Sequence, residues 1–244
     1  PIALAVVIGV ILGALNSIAI ASFGIPTLIA TLGTSGIFRG IMLTFIGSSF
    51  ISDIPAALDK FATADLLKIQ PAEGTLARLH VLIIPVVIIT ILVSLMLNRT
   101  MFGRSVYALG GGVEATRRLG ISIKRTQAKV YMFVGGISGL AGILYVSLQR
   151  KANPYDLYGS ELDIIAAVVL GGASIMGGYG TVFGTVLGVL FINMIKNNLV
   201  LLGVSSSWQR AAVGVLLIIG ITIQAIGENQ KQKRQRSATS KEAE

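Results

Sequence analysis

The stretch VLIIPVVIITILVSLML, Val81 to Leu97, contains no Asp, Glu, Lys or Arg. It is apolar all round, with no polar face at helical spacing, so as a helix it needs an apolar environment on every side. AAVGVLLIIGITIQAI, Ala211 to Ile226, has the same character. A helix needs about 20 mostly apolar residues to cross a hydrocarbon core about 30 Å thick, and these segments reach or approach that length. Working outward, similar segments cover Ile2–Ala21, Pro26–Ile46, Val130–Gln149, Glu161–Met176 and Thr181–Asn197. The composition agrees: of 244 residues, 53% are hydrophobic and 13% charged, about half the charge of an ordinary soluble domain. The expected fold class is all-α, a polytopic bundle of membrane helices with about seven hydrophobic segments, residues 1–226 forming the membrane domain.

The net charge of +9 is concentrated beside the hydrophobic segments, which points away from nucleic acid as a partner. Residues 98–129 hold Arg99, Arg104, Arg117, Arg118, Lys124, Arg125 and Lys129 against one acid, Glu114. The tail 227–244 adds Lys231, Lys233, Arg234, Arg236 and Lys241. Excess Lys and Arg mark cytoplasmic loops, so the 98–129 loop and the C-terminal tail are expected inside, the tail disordered. The long polar interval 48–78, with Asp53, Asp59, Asp65 and Glu73 against Lys60, Lys68 and Arg78, is then external. Arg150 and Lys151 fall on the outside as a minor exception.

Between Arg150 and Glu228 the chain must return to the inside. Ser160 reads as a helix cap whose backbone N–H is reached by Asp163. A helix continuing to Met176 would measure about 24 Å and just cross a thinned bilayer. Three crossings are therefore expected in this region, with a re-entrant loop as the alternative. The chain begins at Pro1 directly in a hydrophobic segment and reads as a fragment of a longer protein.

Glycine recurs every four residues at Gly9 and Gly13, at Gly135 and Gly139, and at Gly180, Gly184 and Gly188. Small residues at that spacing let membrane helices meet backbone to backbone. Polar residues inside the apolar segments, Asn16, Arg39, Gln149 and Asn193, are candidates for lining a solute pathway. Arg39 is the sharpest of them; alternatively segment two breaks at Gly33 or Gly36 and Arg39 reaches a headgroup. There is no cysteine, and the single histidine, His80, opens a hydrophobic segment, so disulfides and Cys/His metal sites are excluded. No G-x-x-x-x-G-K-[ST] loop occurs, so the chain lacks that device for holding ATP. No catalytic triad, metal site or cofactor motif is present, and the chain does not read as an enzyme.

The most informative polar stretch is GGGVEATRRLGI, residues 110–121. A glycine run precedes a short helix-compatible segment with Glu114 in its first turn, where the helix dipole favours a carboxylate, and Gly120 as its stop. So short a helix is marginal in water, so its ordering suggests that it docks against something.

Glu114-Ala115-Thr116 followed by Gly120 resembles the Glu-Ala-Ala-x-x-x-Gly loop of ABC importer permeases, with Thr116 in place of the second alanine. Three further stretches resemble the ribose-type, carbohydrate-uptake branch of that family: Ile29–Gly33 with Arg39-Gly40, Glu161–Gly172, and Leu202–Ser206. The resemblance covers nearly the whole chain in the family's order, but without the family's opening transmembrane segments. It implies a permease subunit in a bacterial inner membrane, its residues 113–120 forming a cytoplasmic coupling helix that fits an ATP-hydrolysing subunit. It also implies a second permease copy or relative, an external sugar-binding protein and a small sugar as solute, ribose or a similar monosaccharide, with autoinducer-2 as an alternative. ATP would be used by the partner subunit alone. The rival from another class is a gradient-driven secondary transporter, which would place a buried carboxylate within a helix; here every acid lies in a loop, the tail or a helix end.

Overall fold

In the computed structural model, residues 1–52, 55, 65–69 and 77–242 are described. Asp53, Asp59, Lys60 and Glu73 of the expected external loop lie outside them. The chain divides into two compact units. One comprises Pro1–Val106 with Val113–Tyr158, the other Tyr107–Gly112 with Gly159–Glu244.

The first unit begins with α1 (Ile2–Ser17), which widens into a π-helical turn at Ile18–Ser22. α2 (Thr27–Ile46) follows Pro26, whose ring fixes φ for a helix start. An antiparallel pair of short strands, β1 (Asp65–Ile69) and β2 (Ala77–His80), sits in the long polar interval, with Asp65 opposite His80. The sequence gives no alternating pattern there, and this pair is a small addition to the all-α bundle. α3 (Ile83–Arg99) and α4 (Met101–Gly111) meet at a 72° bend. The corner is tight because Gly103 lies directly on the Leu97 carbonyl, leaving no room for a Cβ. Next come α5 (Val113–Arg118) and α6 (Ile123–Gln149), whose first turn takes in basic residues that the sequence places in the preceding loop.

The main contact in this unit joins α1 and α6. A Cβ on Gly9 would overlap the Gly135 carbonyl, one on Gly13 the Tyr131 carbonyl, and one on Gly139 the Ala5 carbonyl. Lipid tails are as apolar as the side chains, so close van der Waals contact between backbones supplies the association that water-driven burial supplies elsewhere. α2 joins them through polar contacts. The Thr34 hydroxyl donates to Asn16 Oδ1 at 2.6 Å, and the Tyr131 hydroxyl donates to Thr27 Oγ1 at 3.1 Å.

The second unit contains α7 (Glu161–Leu170), α8 (Val182–Leu201) and α9 (Ser206–Glu242). Its core is built from small and branched residues, Ala166, Ala167, Ile192 and Val213. α7 and α8 also meet through backbone: Gly171 lies against the Gly184 carbonyl, and Gly188 against the Ala167 carbonyl. The Thr181 hydroxyl accepts from the Gly184 N–H at 3.0 Å and caps α8.

Three expectations change. α7 ends at Leu170 rather than Met176, because Gly171 caps it and Gly172 turns away with φ +86°. Ten residues give about 15 Å, half a hydrocarbon core, so α7 by itself does not complete a crossing and the alternative to three full crossings fits it better. The expected reciprocal cap is not formed: the Ser160 side chain makes no cap bond, and the Asp163 carboxylate bonds to Lys196. The tail is helical to Glu242, since nothing after Gly227 interrupts α9: the segment has no further Gly or Pro and is rich in Gln, Lys, Arg and Glu.

Among the described residues, five helices are long and apolar enough to cross a membrane, six if the bent α3–α4 pair counts as one span. Their outer surfaces are apolar: Ile218 is 65% exposed and Leu190 55%. Such a surface fits hydrocarbon or a partner helix and not water.

Candidate functional site

α5 is the short helix expected from residues 110–121. It ends in two bonds that close its last turn: the Ile121 N–H donates to the Thr116 carbonyl at 3.3 Å, and the Gly120 N–H to that of Arg117 at 3.0 Å. This stop needs a left-handed residue, and Gly120 has φ +73°. Thr116 is fully buried, so the residue that departs from the family pattern faces inward. Glu114, Ala115, Arg117 and Arg118 are exposed, flanked by Val113 and by Leu119, which is 70% exposed. Glu114 and Arg117 approach at 3.9 Å, both largely solvated, and such a pair adds little stability. The helix therefore presents a rigid, mixed apolar and charged knob.

In the second unit, the residues just before α5 rest on the loop that follows α7. Gly110 meets Gly178 so closely that a Cβ would lie 2.5 Å from its amide nitrogen, and Gly177 meets the Gly110 carbonyl in the same way at 2.7 Å. The Tyr107 hydroxyl donates to the Gly180 carbonyl at 2.9 Å. Gly177 and Gly178 have φ of +92° and +84°, which side-chain-bearing residues rarely adopt. Displacing Gly110 would thus press directly on the loop between α7 and α8.

The break after Leu170 exposes carbonyls that a continuous helix would satisfy. Gln224 of α9 donates through Nε2 to the Val169 carbonyl at 3.0 Å and the Ala173 carbonyl at 2.9 Å. Val169 also accepts from the Gly172 N–H. Gln224→Leu is expected to destabilise the detergent-solubilised protein by about 2 kcal/mol, the cost of an unmet buried acceptor. A melting temperature equal to wild type would show that the carbonyls do not depend on Gln224.

At the start of α7, Asp163 Oδ2 accepts from Lys196 Nζ of α8 at 2.6 Å, with both side chains about two-thirds or more buried. Of the four polar candidates from sequence, Asn16 is bonded to Thr34, and Gln149 donates through Nε2 to the Tyr145 hydroxyl of its own helix at 3.4 Å. Asn193 is exposed and bonds back to the Val189 carbonyl of its own helix at 2.8 Å. Arg39 of α2 stacks over two rings, Tyr158 at 3.6 Å and Tyr155 at 4.6 Å. Asn16, Arg39 and Gln149 belong to the first unit and Asn193 to the second. Gly180, Gly184 and Gly188 all lie at close contacts, Gly180 against Ala173. Lys196, Gln224 and the two tyrosines escape the sequence reading. For Lys196 and Gln224 the signal was present, a polar residue in an apolar run, the same signal that selects Asn193.

Multiple apolar helices joined by glycine contacts, polar pairs between them, and a short helix ended by a glycine stop define a multi-pass membrane protein. The family model described as branched-chain amino acid transport system / permease component matches residues 1–221, and the chain belongs to that family. Among curated relatives, the autoinducer 2 import system permease protein LsrC of Salmonella paratyphi B is 34% identical over 212 residues, 87% of this chain and 58% of that protein. Its counterpart from Yersinia pseudotuberculosis is 35% identical over 214 residues, 88% of this chain and again 58% of the relative. The chain thus spans less than two thirds of the length of these relatives. No solved structure matches it.

Proposed function

We propose that the chain is the membrane-spanning permease of an ATP-driven ABC importer in a bacterial inner membrane, moving a small sugar-like solute into the cell. The observation that carries this reading is α5, an exposed rigid knob continuous through Gly112 with residues that press on the α7–α8 loop. A partner that rocks α5 on hydrolysing ATP would move this loop. The partners are ATPase subunits at α5, a second permease copy or relative, and an external solute-binding protein. The relatives' names favour autoinducer-2 over ribose as solute. The basic residues of 98–129 and of the tail favour a cytoplasmic side for α5 and the C-terminus. Among the described residues, the paired Asp163 is the one acid held between helices, the feature a gradient-driven transporter would use, so the test must separate the two classes.

Gly120→Val puts a β-branched residue at φ +73°, with strain of order 1–3 kcal/mol. Glu114→Lys brings a cation to the positive end of α5 and reverses the charge offered to the partner. In the full-length reconstituted complex, both variants should insert normally yet co-purify with less ATPase subunit. Substrate-stimulated ATP hydrolysis and uptake should then fall together, by about tenfold or more, as expected for about 1.4 kcal/mol of lost docking. Gradient-driven uptake that survives both substitutions would remove the importer reading.

A further inference from the structure

We infer that Arg39, Tyr155, Asp156 and Tyr158 form a binding site for a neutral polyhydroxylated solute in the first unit. This deepens the importer reading and rests on it. Arg39 is the one charged residue of α2, yet its guanidinium meets two aromatic faces and no carboxylate among the described residues. Its Nε is closed off from solvent and has no hydrogen-bond partner. In the same turn as the two tyrosines, Asp156 Oδ2 is also closed off and unpartnered. Buried polar atoms nearly always find partners, so two of opposite character left open around one pair of rings call for a shared occupant.

The chemistry of the four groups defines it. A guanidinium only donates and a carboxylate only accepts. Neighbouring hydroxyls on one small molecule can accept from Arg39 and donate to Asp156 at once. The charges of Arg39 and Asp156 cancel, so a neutral ligand leaves no unbalanced charge in the apolar surroundings. A lipid phosphate would suit Arg39 but would be repelled by Asp156. Tyr155 and Tyr158 are 45% and 66% exposed, leaving ring surface free for the C–H faces of a sugar-like ring while both still flank the guanidinium.

The turn that carries three of these residues is held in place before any ligand arrives. Ile51 and Ala152 exchange two backbone bonds of 3.0 Å. Asn153 donates through Nδ2 to the Ser48 carbonyl at 3.1 Å, and its Oδ1 accepts from the Tyr155 N–H at 2.8 Å. The Asp156 N–H donates to the Asn153 carbonyl and the Tyr158 N–H to that of Tyr155, each at 3.2 Å. The turn is thereby tied to the chain just beyond α2, the helix that carries Arg39. Such preorganisation lowers the ordering cost of binding.

The test is direct binding to the full-length permease–ATPase complex in lipid nanodiscs without the solute-binding protein. Radiolabelled D-ribose and autoinducer 2 serve as separate probes, with ATP-dependent uptake measured in parallel on the complete system. Asp156→Asn removes the acceptor charge, and Arg39→Lys keeps the charge but loses the planar fork and its stacking. Each should raise the Kd of the bound probe roughly ten- to a hundredfold, as for a lost hydrogen bond to a buried charged group. Tyr158→Phe should stay within about threefold of wild type, because its ring face remains, while Tyr158→Leu should not. Co-purification of the ATPase subunits reports whether each variant is assembled. A wild-type complex that imports either probe but shows no saturable binding, or an assembled Asp156→Asn with unchanged Kd, overturns the site and leaves the importer reading intact. Loss of co-purified phospholipid on Arg39→Lys, with Kd unchanged, makes Arg39 a headgroup anchor and likewise overturns it. A wild-type system that imports neither probe with ATP removes the importer reading and this site together.

Discussion

Gly184→Leu is expected to lower the thermal stability of the detergent-extracted protein by an amount worth about 3 kcal/mol or more, and to reduce uptake in proportion to the folded fraction. A Cβ at 184 would strike the Gly171 carbonyl and lie 2.8 Å from the Thr181 hydroxyl that caps α8. The Gly171 carbonyl is backbone and cannot rotate away as a flexible side chain could, so α7 and α8 must separate. Separation also strips contact from Gly188, which rests on Ala167 one turn along, and opens the core at Ala166, Ala167 and Ile192. Gly214→Leu in α9 is the control, because a Cβ there meets nothing within 4 Å and the backbone is helical. Equal melting temperatures for the two variants would show that the α7–α8 contact is not what holds the second unit together.

Lys196→Ala is the second large effect, and its diagnostic is the comparison with the double variant Asp163→Ala/Lys196→Ala. The ammonium lies in an apolar helix, and the carboxylate opposite it is only about a quarter exposed. Removing one partner leaves a lone charge in apolar surroundings, at about 3 kcal/mol. Removing both relieves that charge, so the double variant should be more stable than either single one. The exchanged pair, Asp163→Lys/Lys196→Asp, should recover part of the loss. Additive losses in thermal melts would mean that the two charges are solvated independently and that the 2.6 Å contact contributes nothing.

The membrane character was legible because it depends on composition alone. A run such as Val81–Leu97 has no polar face to turn toward water, whatever it packs against. The short helix α5 was legible because its signals are local: Glu114 in the first turn and Gly120 at the stop act within a few residues of one another. The glycine spacing was ambiguous in a way the structure makes plain. Gly36 and Gly40 are four apart, like Gly9 and Gly13, yet a Cβ on either meets nothing within 4 Å, while Gly9 and Gly13 each touch backbone of α6. Spacing puts two glycines on one face, but only tertiary structure decides whether another helix lies there.

The same division explains the functional residues. Asp163 looked like a cap because Ser160 stands three residues before it, and local sequence could not know that Lys196, 33 residues on, offers an opposite charge. A charged partner in low dielectric outweighs a backbone N–H of its own turn. Gln224 became the cap of a broken helix belonging to another part of the chain, 51 residues from Ala173. Arg39 announced itself as a charge in an apolar segment, while its partners in the 155–158 turn lie more than a hundred residues away, ordinary aromatic residues in a loop until folding brings them over the guanidinium. By itself the sequence determined which segments leave water and where one short helix starts and stops, because transfer energies and capping act over a single turn or a single helix. Only the tertiary structure decided which charges pair, which glycines touch and where α7 ends, because those outcomes depend on what a distant segment brings to the same place in a medium without water to satisfy what is left over.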